Sequence, residues 1–226
     1  MNYVLGGRTI GQVLGHSGGA AAVPWWLYGG VSAANAWAVY QPIGAASLAA
    51  SYVNLANPGT YDAVPGVAPT FDTATGWTFN GSSQYLKTGI TPAGDNTWTM
   101  IVKFSGGASI GTRGLAGTND ARNFHIITSL SGLRQYAQPT RYLRKSGVVI
   151  AGVMAISGIT AYIDGASDGT LVTALSDSTA NTIFVGALNN GSANNFWQGS
   201  IQAIAIYNTT LSAAQVSAIS SAMAAL

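Results

Sequence analysis

The chain contains no cysteine, no glutamate and little charge: 7% of its 226 residues are charged, against about 25% in an average globular protein. The missing cysteine excludes disulfides and thiolate metal sites and fixes no compartment. The missing glutamate bears on hydrolysis. Glycosidases hold two carboxyl groups about 5–9.5 Å apart across the bond they cleave, whereas here all seven acids are aspartates and no strand-like segment carries two. Asp164 and Asp168 are close in sequence, but both read as turn residues, where Asp bonds nearby backbone. Asp62, Asp72, Asp95 and Asp177 stand in similar contexts beside Gly, Pro, Ser or Thr. His16 and His125 lie far apart, a poor starting set for zinc or for a nucleophilic triad. No enzymatic activity is expected, and no catalytic residue is assigned. The net charge of +2 is too small for an electrostatic nucleic-acid binder.

Long apolar runs are also missing. Residues 1–19 lack the basic start and continuous apolar core of a signal peptide. Ala20 to Tyr40 approaches the length of a membrane span, but Pro24, Gly29-Gly30, Ser32 and Asn35 interrupt it and no basic flank follows. No membrane insertion is expected. This stretch holds three of the six tryptophans and no charge. An uncharged arm bearing Trp25, Trp26, Tyr28 and Trp37 packs against the jelly roll or a neighbouring subunit, and it reads as an assembly element set against another copy or a neighbouring protein. A homo-oligomer with closed symmetry is the corresponding expectation.

What the chain does contain is alternation in short segments, most clearly near its end. Ile183 to Leu188 reads as a short apolar strand, followed by an Asn-rich loop over residues 189–195. Gly199 to Tyr207 then alternates, with Ile201, Ala203, Ala205 and Tyr207 on one face and Ser200, Gln202, Ile204 and Ile206 on the other. A strand apolar on both sides for half its length is expected between two layers. Ser212 can cap a helix from Ala213 to Ala225, with Gln215 at the third helical position as in a capping box. Val216, Ile219 and Met223 share one face of that helix.

Upstream, the strands expected are Gly76 to Asn80, Gln84 to Thr88, Thr97 to Ser105, Gly111 to Gly117, Asn123 to Ser129, Gly132 to Gln138, Ser146 to Met154 and Gly158 to Ile163. Asp164-Gly165 is a tight-turn signal. Strands at such short spacing point to an all-β sandwich. The division expected is a lead-in over residues 1–60 and one β domain over residues 61–226.

Three segments carry a resemblance. Phe184-Val185-Gly186, the Asn-rich loop and Phe196-Trp197-Gln198-Gly199 through Tyr207-Asn208, with Leu211-Ser212 and Gln215-Val216, resemble the closing segment of concanavalin A-like (laminin G-like) jelly-roll domains. Trp77-Thr78-Phe79-Asn80-Gly81 to Tyr85-Leu86 resembles their opening strand pair, and Trp98 to Phe104 their first long core strand. The resemblance implies a two-sheet antiparallel jelly roll. These domains serve as lectins, glycosidases, adhesion modules and pieces of bacteriophage particles, and the Ala/Gly-rich lead-in looks most like phage virion proteins. The function it implies is a structural component on the surface of a virion, a head decoration or tail piece partnered by other virion proteins. The alternative is a lectin-like module for a cell-surface glycan. Such domains also often hold calcium with Asp, Asn and backbone oxygens, to which Asn119-Asp120 would contribute; no other cofactor is expected.

Two clusters are candidate binding sites, the first for nucleic acid, an anionic glycan or an acidic neighbour, the second for neutral sugars. One is basic and aromatic, with Arg134, Tyr136, Arg141, Tyr142, Arg144 and Lys145 around Pro139; Tyr136 and Arg141 are singled out from it. The competing reading is a hairpin that carries its arginines into solvent or into salt bridges. The other comprises Asn189, Asn190, Asn194, Asn195, Phe196 and Trp197, with Asn194, Asn195 and Trp197 singled out, since amides and an indole grip neutral sugars by hydrogen bonds and stacking. Here the competing reading has Trp197 filling the end of the sandwich.

Overall fold

The computed structural model describes residues 22–107, 111–119, 123–174 and 181–226. Two 3-10 turns, Trp25–Leu27 and Ala33–Asn35, lead into β1 (Ala36–Tyr40) and the one-turn helix α1 (Leu48–Ser51). Then come β2 (Val64–Val67), β3 (Thr70–Asp72), β4 (Gly76–Asn80), β5 (Tyr85–Lys87) and β6 (Thr99–Ser105). The middle supplies β7 (Arg113–Thr118), β8 (Phe124–Leu130), β9 (Leu133–Gln138), β10 (Arg141–Ser146), β11 (Gly152–Ser157), β12 (Thr160–Ile163) and β13 (Ala166–Thr170). Short pieces β14 (Thr173–Ala174), β15 (Phe184–Val185), β16 (Leu188–Asn189) and β17 (Ala193–Asn194) precede β18 (Gln198–Tyr207) and α2 (Ala213–Ala224).

These strands make two sheets. One runs β13-β12-β11-β6-β18-β4-β3, with β1 added to β18, and the other runs β14-β10-β9-β8-β7-β15-β5-β2, with β16 and β17 attached beside β7. The expected all-β jelly-roll sandwich is the fold observed. β18 is its axis. β6 lies along one flank, while β4 takes the first half of the other flank and β1 the second half. At Ile201/Ala203 the pairing with β6 slips. Such a bulge turns the residues beyond it onto the opposite face. Ile201 therefore joins Ile204 and Ile206 in the core between the sheets, while Ala203, Ala205 and Tyr207 face outward. Strict alternation had grouped Ile201 with Ala203.

The outward side of β18 is covered by α2, as expected for a strand between layers. Ser212 and Gln215 form the capping box, and Val216, Ile219 and Met223 are fully buried against the sheet. Each contributes about 1.5–3 kcal/mol relative to exposure. Lys103 reaches from β6 to the end of the helix, donating to Ala224 O (3.2 Å) and Leu226 O (3.0 Å).

The boundary expected at residue 60 does not coincide with a break in the fold. Ala38, Val39 and Tyr40 are fully buried, because β1 closes the open flank of β18. Trp25 is buried in the cluster beneath α2, and Tyr207 Oη donates to Trp26 O (2.8 Å). Trp37 stacks on Tyr61 and meets Trp98 edge-on. From residue 22 onward the lead-in is thus part of the sandwich core, and its apolar area is largely covered by the same chain. Tyr28 remains 44% exposed. No helix among the described residues is long and apolar enough to cross a membrane.

Candidate functional site

Residues directly opposite across an antiparallel pair point to the same side of the sheet. That rule sorts the basic and aromatic cluster into two faces. Tyr136 pairs with Leu143 and Ile126 on the inner side; Ala137 pairs with Tyr142 and His125, and Gln135 with Arg144 and Ile127, on the outer side. Further along, Gly117 stands opposite His125 and Gly114 opposite Ile127. Two outer rows result, Tyr142–Ala137–His125–Gly117 and Arg144–Gln135–Ile127–Gly114.

A hydrogen-bond chain runs along this outer face. Arg144 Nε donates to Gln135 Oε1, Gln135 Nε2 donates to His125 Nε2 (2.8 Å), and His125 Nδ1 donates to Thr118 O (2.8 Å). One proton arrangement satisfies all three. A carbonyl only accepts, so the imidazole proton sits on Nδ1 and Nε2 accepts from the amide. Burial lowers the His125 pKa to about 4, with the Arg144 charge adding to that and the bond to Thr118 opposing it. The imidazole is therefore neutral near pH 7. The chain fixes the orientation of Arg144, whose guanidinium carbon lies 5.0 Å from the centre of the Tyr142 ring. Both terminal amino groups of Arg144 are left without a partner among the described residues. Arg144 is exposed and Tyr142 half-buried.

The other side of the same face is aromatic. Phe184, opposite Gly117, meets Tyr85 at 4.8 Å between ring centres, and Tyr85 meets Phe196 at 6.3 Å. The β16–β17 hairpin sits here too: a Cβ on Gly114 would lie 2.5 Å from Leu188 Cγ, so glycine makes room for that side chain. The Asn-rich segment thus lies beside β7 and the Tyr142–Arg144 pair on β10, and the residues between them, Ala137, His125, Gln135 and Ile127, are buried.

The individual candidates divide. Asn194 is half-buried, its amide donating to Ser192 O (3.2 Å). Asn195 adopts φ 50, and its carbonyl accepts from Gly114 N (2.8 Å). Trp197 is fully buried, edge-on to Phe104, so it fills the sandwich and is not available to a sugar. Tyr136 is also fully buried, donating to Asp168 Oδ2 (2.9 Å). Arg141 is exposed at the start of β10, opposite the inward-facing Gln138, and so belongs to the rim of the sandwich.

Arg144, Tyr142 and Gln135 are the residues that the sequence reading did not single out. The signal was period two along Arg141 to Lys145, which separates Tyr142 and Arg144 from Arg141, Leu143 and Lys145. Asp168 is not a turn residue: it lies on β13 and accepts from Arg134, Tyr136 and Lys145. Asp164, with φ 49 before Gly165 at φ 79, does make the expected tight turn and also accepts from Val153 N. Asp62, Asp72 and Asp95 each accept from neighbouring backbone amides. Among the described residues no group of three or more His, Cys, Asp or Glu could hold a metal; Asp120 of the calcium expectation lies outside them. So does Gly15-His16-Ser17-Gly18-Gly19, which has the Gly-x-Ser-x-Gly spacing of a nucleophile elbow.

A family model described as the Concanavalin A-like lectin/glucanases superfamily matches residues 90–217. Among solved structures, Trypanosoma rangeli sialidase in complex with sialic acid is similar at a TM-score of 0.57 and 13% identity, over 83% of this chain and 33% of the sialidase. The chain thus spans about a third of that protein's length. Domain 4 of AbnA, an extracellular arabinanase from Geobacillus stearothermophilus in complex with arabinotriose, is similar at 0.54 and 13% identity, over 82% of this chain and 98% of that domain. At such identity the likeness is one of fold. No curated protein matches the chain.

Proposed function

The chain belongs to the concanavalin A-like lectin/glucanase superfamily, and from that premise we propose that it is a glycan-binding module that holds its ligand without cleaving it. The observation that carries this reading is the Tyr142–Arg144 pair. A guanidinium fixed through Nε by Gln135, with its terminal amino groups open, suits two parallel hydrogen bonds to a carboxylate or to adjacent hydroxyls. The Tyr142 ring carries the guanidinium on one face and adds half-buried aromatic surface next to it for the apolar face of a sugar. The match to the lectin/glucanases family model and the fold likeness to a domain in complex with arabinotriose support the same class of ligand. Binding without cleavage is supported by the aspartates: each described one is engaged in a turn, a backbone contact or an ion pair, and none faces Arg144.

Saturation-transfer NMR with acidic and neutral oligosaccharides tests the proposal. Sugar protons are expected to receive saturation in the presence of the wild type, with no new reducing ends released. No transfer to any sugar, or steady release of reducing ends, would contradict it.

A structural role on a bacteriophage particle is a second reading. It is supported by the sparse charge and by an apolar groove of about 550 Å³ lined by Val23, Leu27 and Tyr28. A fixed homo-oligomer in solution is then expected, and a strictly monomeric chain at high concentration would remove that support.

A further inference from the structure

Tyr61 has a backbone conformation unusual for its type, with φ 59. The left-handed region is strained for a residue with a side chain and persists only where its surroundings impose it. Here they do. Asn54 Nδ2 donates to Thr60 O (2.8 Å), Tyr40 Oη donates to Tyr61 O, and the Asp62 carboxylate accepts from Asn54 N (2.8 Å) and Gly59 N (3.2 Å). A glycine would adopt this conformation without strain. The position instead carries a large ring that is only half-buried.

That ring is held rigidly. It stacks on Trp37 at 5.6 Å with the planes 13° apart, and Trp37 meets Trp98 edge-on at 5.0 Å. Tyr61 also stands between two surface grooves. One, of about 250 Å³, is lined by Ala33, Ala34, Trp37 and Asn57; the other, of about 450 Å³, by Asp62, Lys87 and Gly89. The second lies within the range of small-molecule sites, roughly 300–1,000 Å³. The first carries no charged side chain, and the second one of each sign. An aromatic platform with an amide nearby and balanced charge suits a neutral, hydroxyl-rich ring better than an ion.

We propose that Tyr61, braced by Trp37, is a second saccharide-stacking platform, separate from the Tyr142–Arg144 face and outside the segment matched by the family model. This rests on the glycan-binding reading only for the class of ligand. A saccharide chain seated on Tyr61 places one sugar against the ring and its neighbours in the two grooves, with the Asn57 amide as a hydrogen-bonding partner.

The test uses the full chain and tryptophan fluorescence, since Trp37 lies directly against Tyr61. Arabinotriose, cellotriose and maltotriose are titrated into a variant carrying Tyr142→Ala and Arg144→Ala. At least one is expected to give a saturable change, weakened about tenfold or more by adding Tyr61→Gly and retained with Tyr61→Phe. Glycine accepts the backbone conformation, so loss of response in that variant reports the ring rather than unfolding; circular dichroism confirms the fold. An unchanged response with Tyr61→Gly overturns the inference, as does the absence of any response at millimolar sugar. If wild-type binding vanishes with Tyr142→Ala and Arg144→Ala alone, the sheet face stands and this platform falls. If binding ignores those two substitutions but is lost with Tyr61→Gly, the platform stands and the sheet face falls.

Discussion

Arg134 grips Asp168 with two prongs, Nε to Oδ2 at 2.6 Å and Nη2 to Oδ1 at 2.7 Å. The pair joins β9 of one sheet to β13 of the other. Tyr136 and Lys145 bond to the same residue, so four side chains bridge the two layers at one edge. Burial works to raise the Asp168 carboxyl, but hydrogen bonds from Arg134, Lys145 and Tyr136 outweigh it and hold the group below the usual carboxylate range. Removing one partner of a buried ion pair leaves the other charge uncompensated, at about 3–5 kcal/mol. Asp168→Asn should lower the melting temperature by roughly 6–20 °C for a domain of this size. Calorimetry checks this, and a change under about 2 °C would show that the clamp is dispensable.

Stability should also depend on His125. Its pKa is about 4 in the folded chain against 6.5 for the free side chain. Between those values the unfolded chain binds more protons, so acid favours unfolding. Stability should decline as pH falls from 6.5 towards 4, by up to about 3.4 kcal/mol from this residue, and the melting temperature should fall with it. Asp168, with its lowered pKa, adds to the loss only below the ordinary carboxylate range. His125→Gln should flatten the slope between 6.5 and 4. An equal slope in both proteins would contradict the assignment.

Gly186 is required where β15 turns towards β16. It has φ 79, and a Cβ there would lie 2.2 Å from Phe79 Cε1. Gly186→Ala adds backbone strain to overpacking against a buried ring, at about 2–4 kcal/mol. Chemical denaturation should show the midpoint shift at an unchanged slope.

The lead-in gives a prediction opposite to that of a detachable arm. Removing residues 1–40 strips β1 from β18 and uncovers the backbone of Ile204 to Tyr207 along with the cluster around Trp25. The truncated chain should aggregate or lose its cooperative transition. Recovery of a soluble, cooperatively folding product would show that the sandwich closes without β1.

Much of this fold could be read from the chain because its signals are local. The capping box at Ser212 and Gln215, the inward row Trp98, Met100, Val102 and Phe104, and the Asp164-Gly165 turn depend on residues close in sequence. What escaped was set by distant partners. Whether β1 is an arm or a strand depends on an open flank of β18, some 165 residues away. The bulge at Ile201/Ala203 reverses a face without changing composition. The candidate site was visible as a cluster but not as a surface, since only the register of β9 with β10 separates Tyr142 and Arg144 from the buried Tyr136. Trp197 precedes a strand whose inward neighbours lie on β6, so its burial was not legible from the Asn-rich loop beside it.

The central claim is that Arg144, oriented by Gln135 above Tyr142, binds a saccharide. Isothermal titration of the strongest ligand from the NMR panel into wild type, Arg144→Ala and Tyr142→Ala tests it most directly. Loss of a charge-assisted pair of hydrogen bonds corresponds to about 1.5–3 kcal/mol, or roughly 10- to 150-fold in affinity. Arg144→Ala should weaken binding by that factor and Tyr142→Ala by less, both variants remaining folded by circular dichroism. Wild-type affinity in both variants would contradict it.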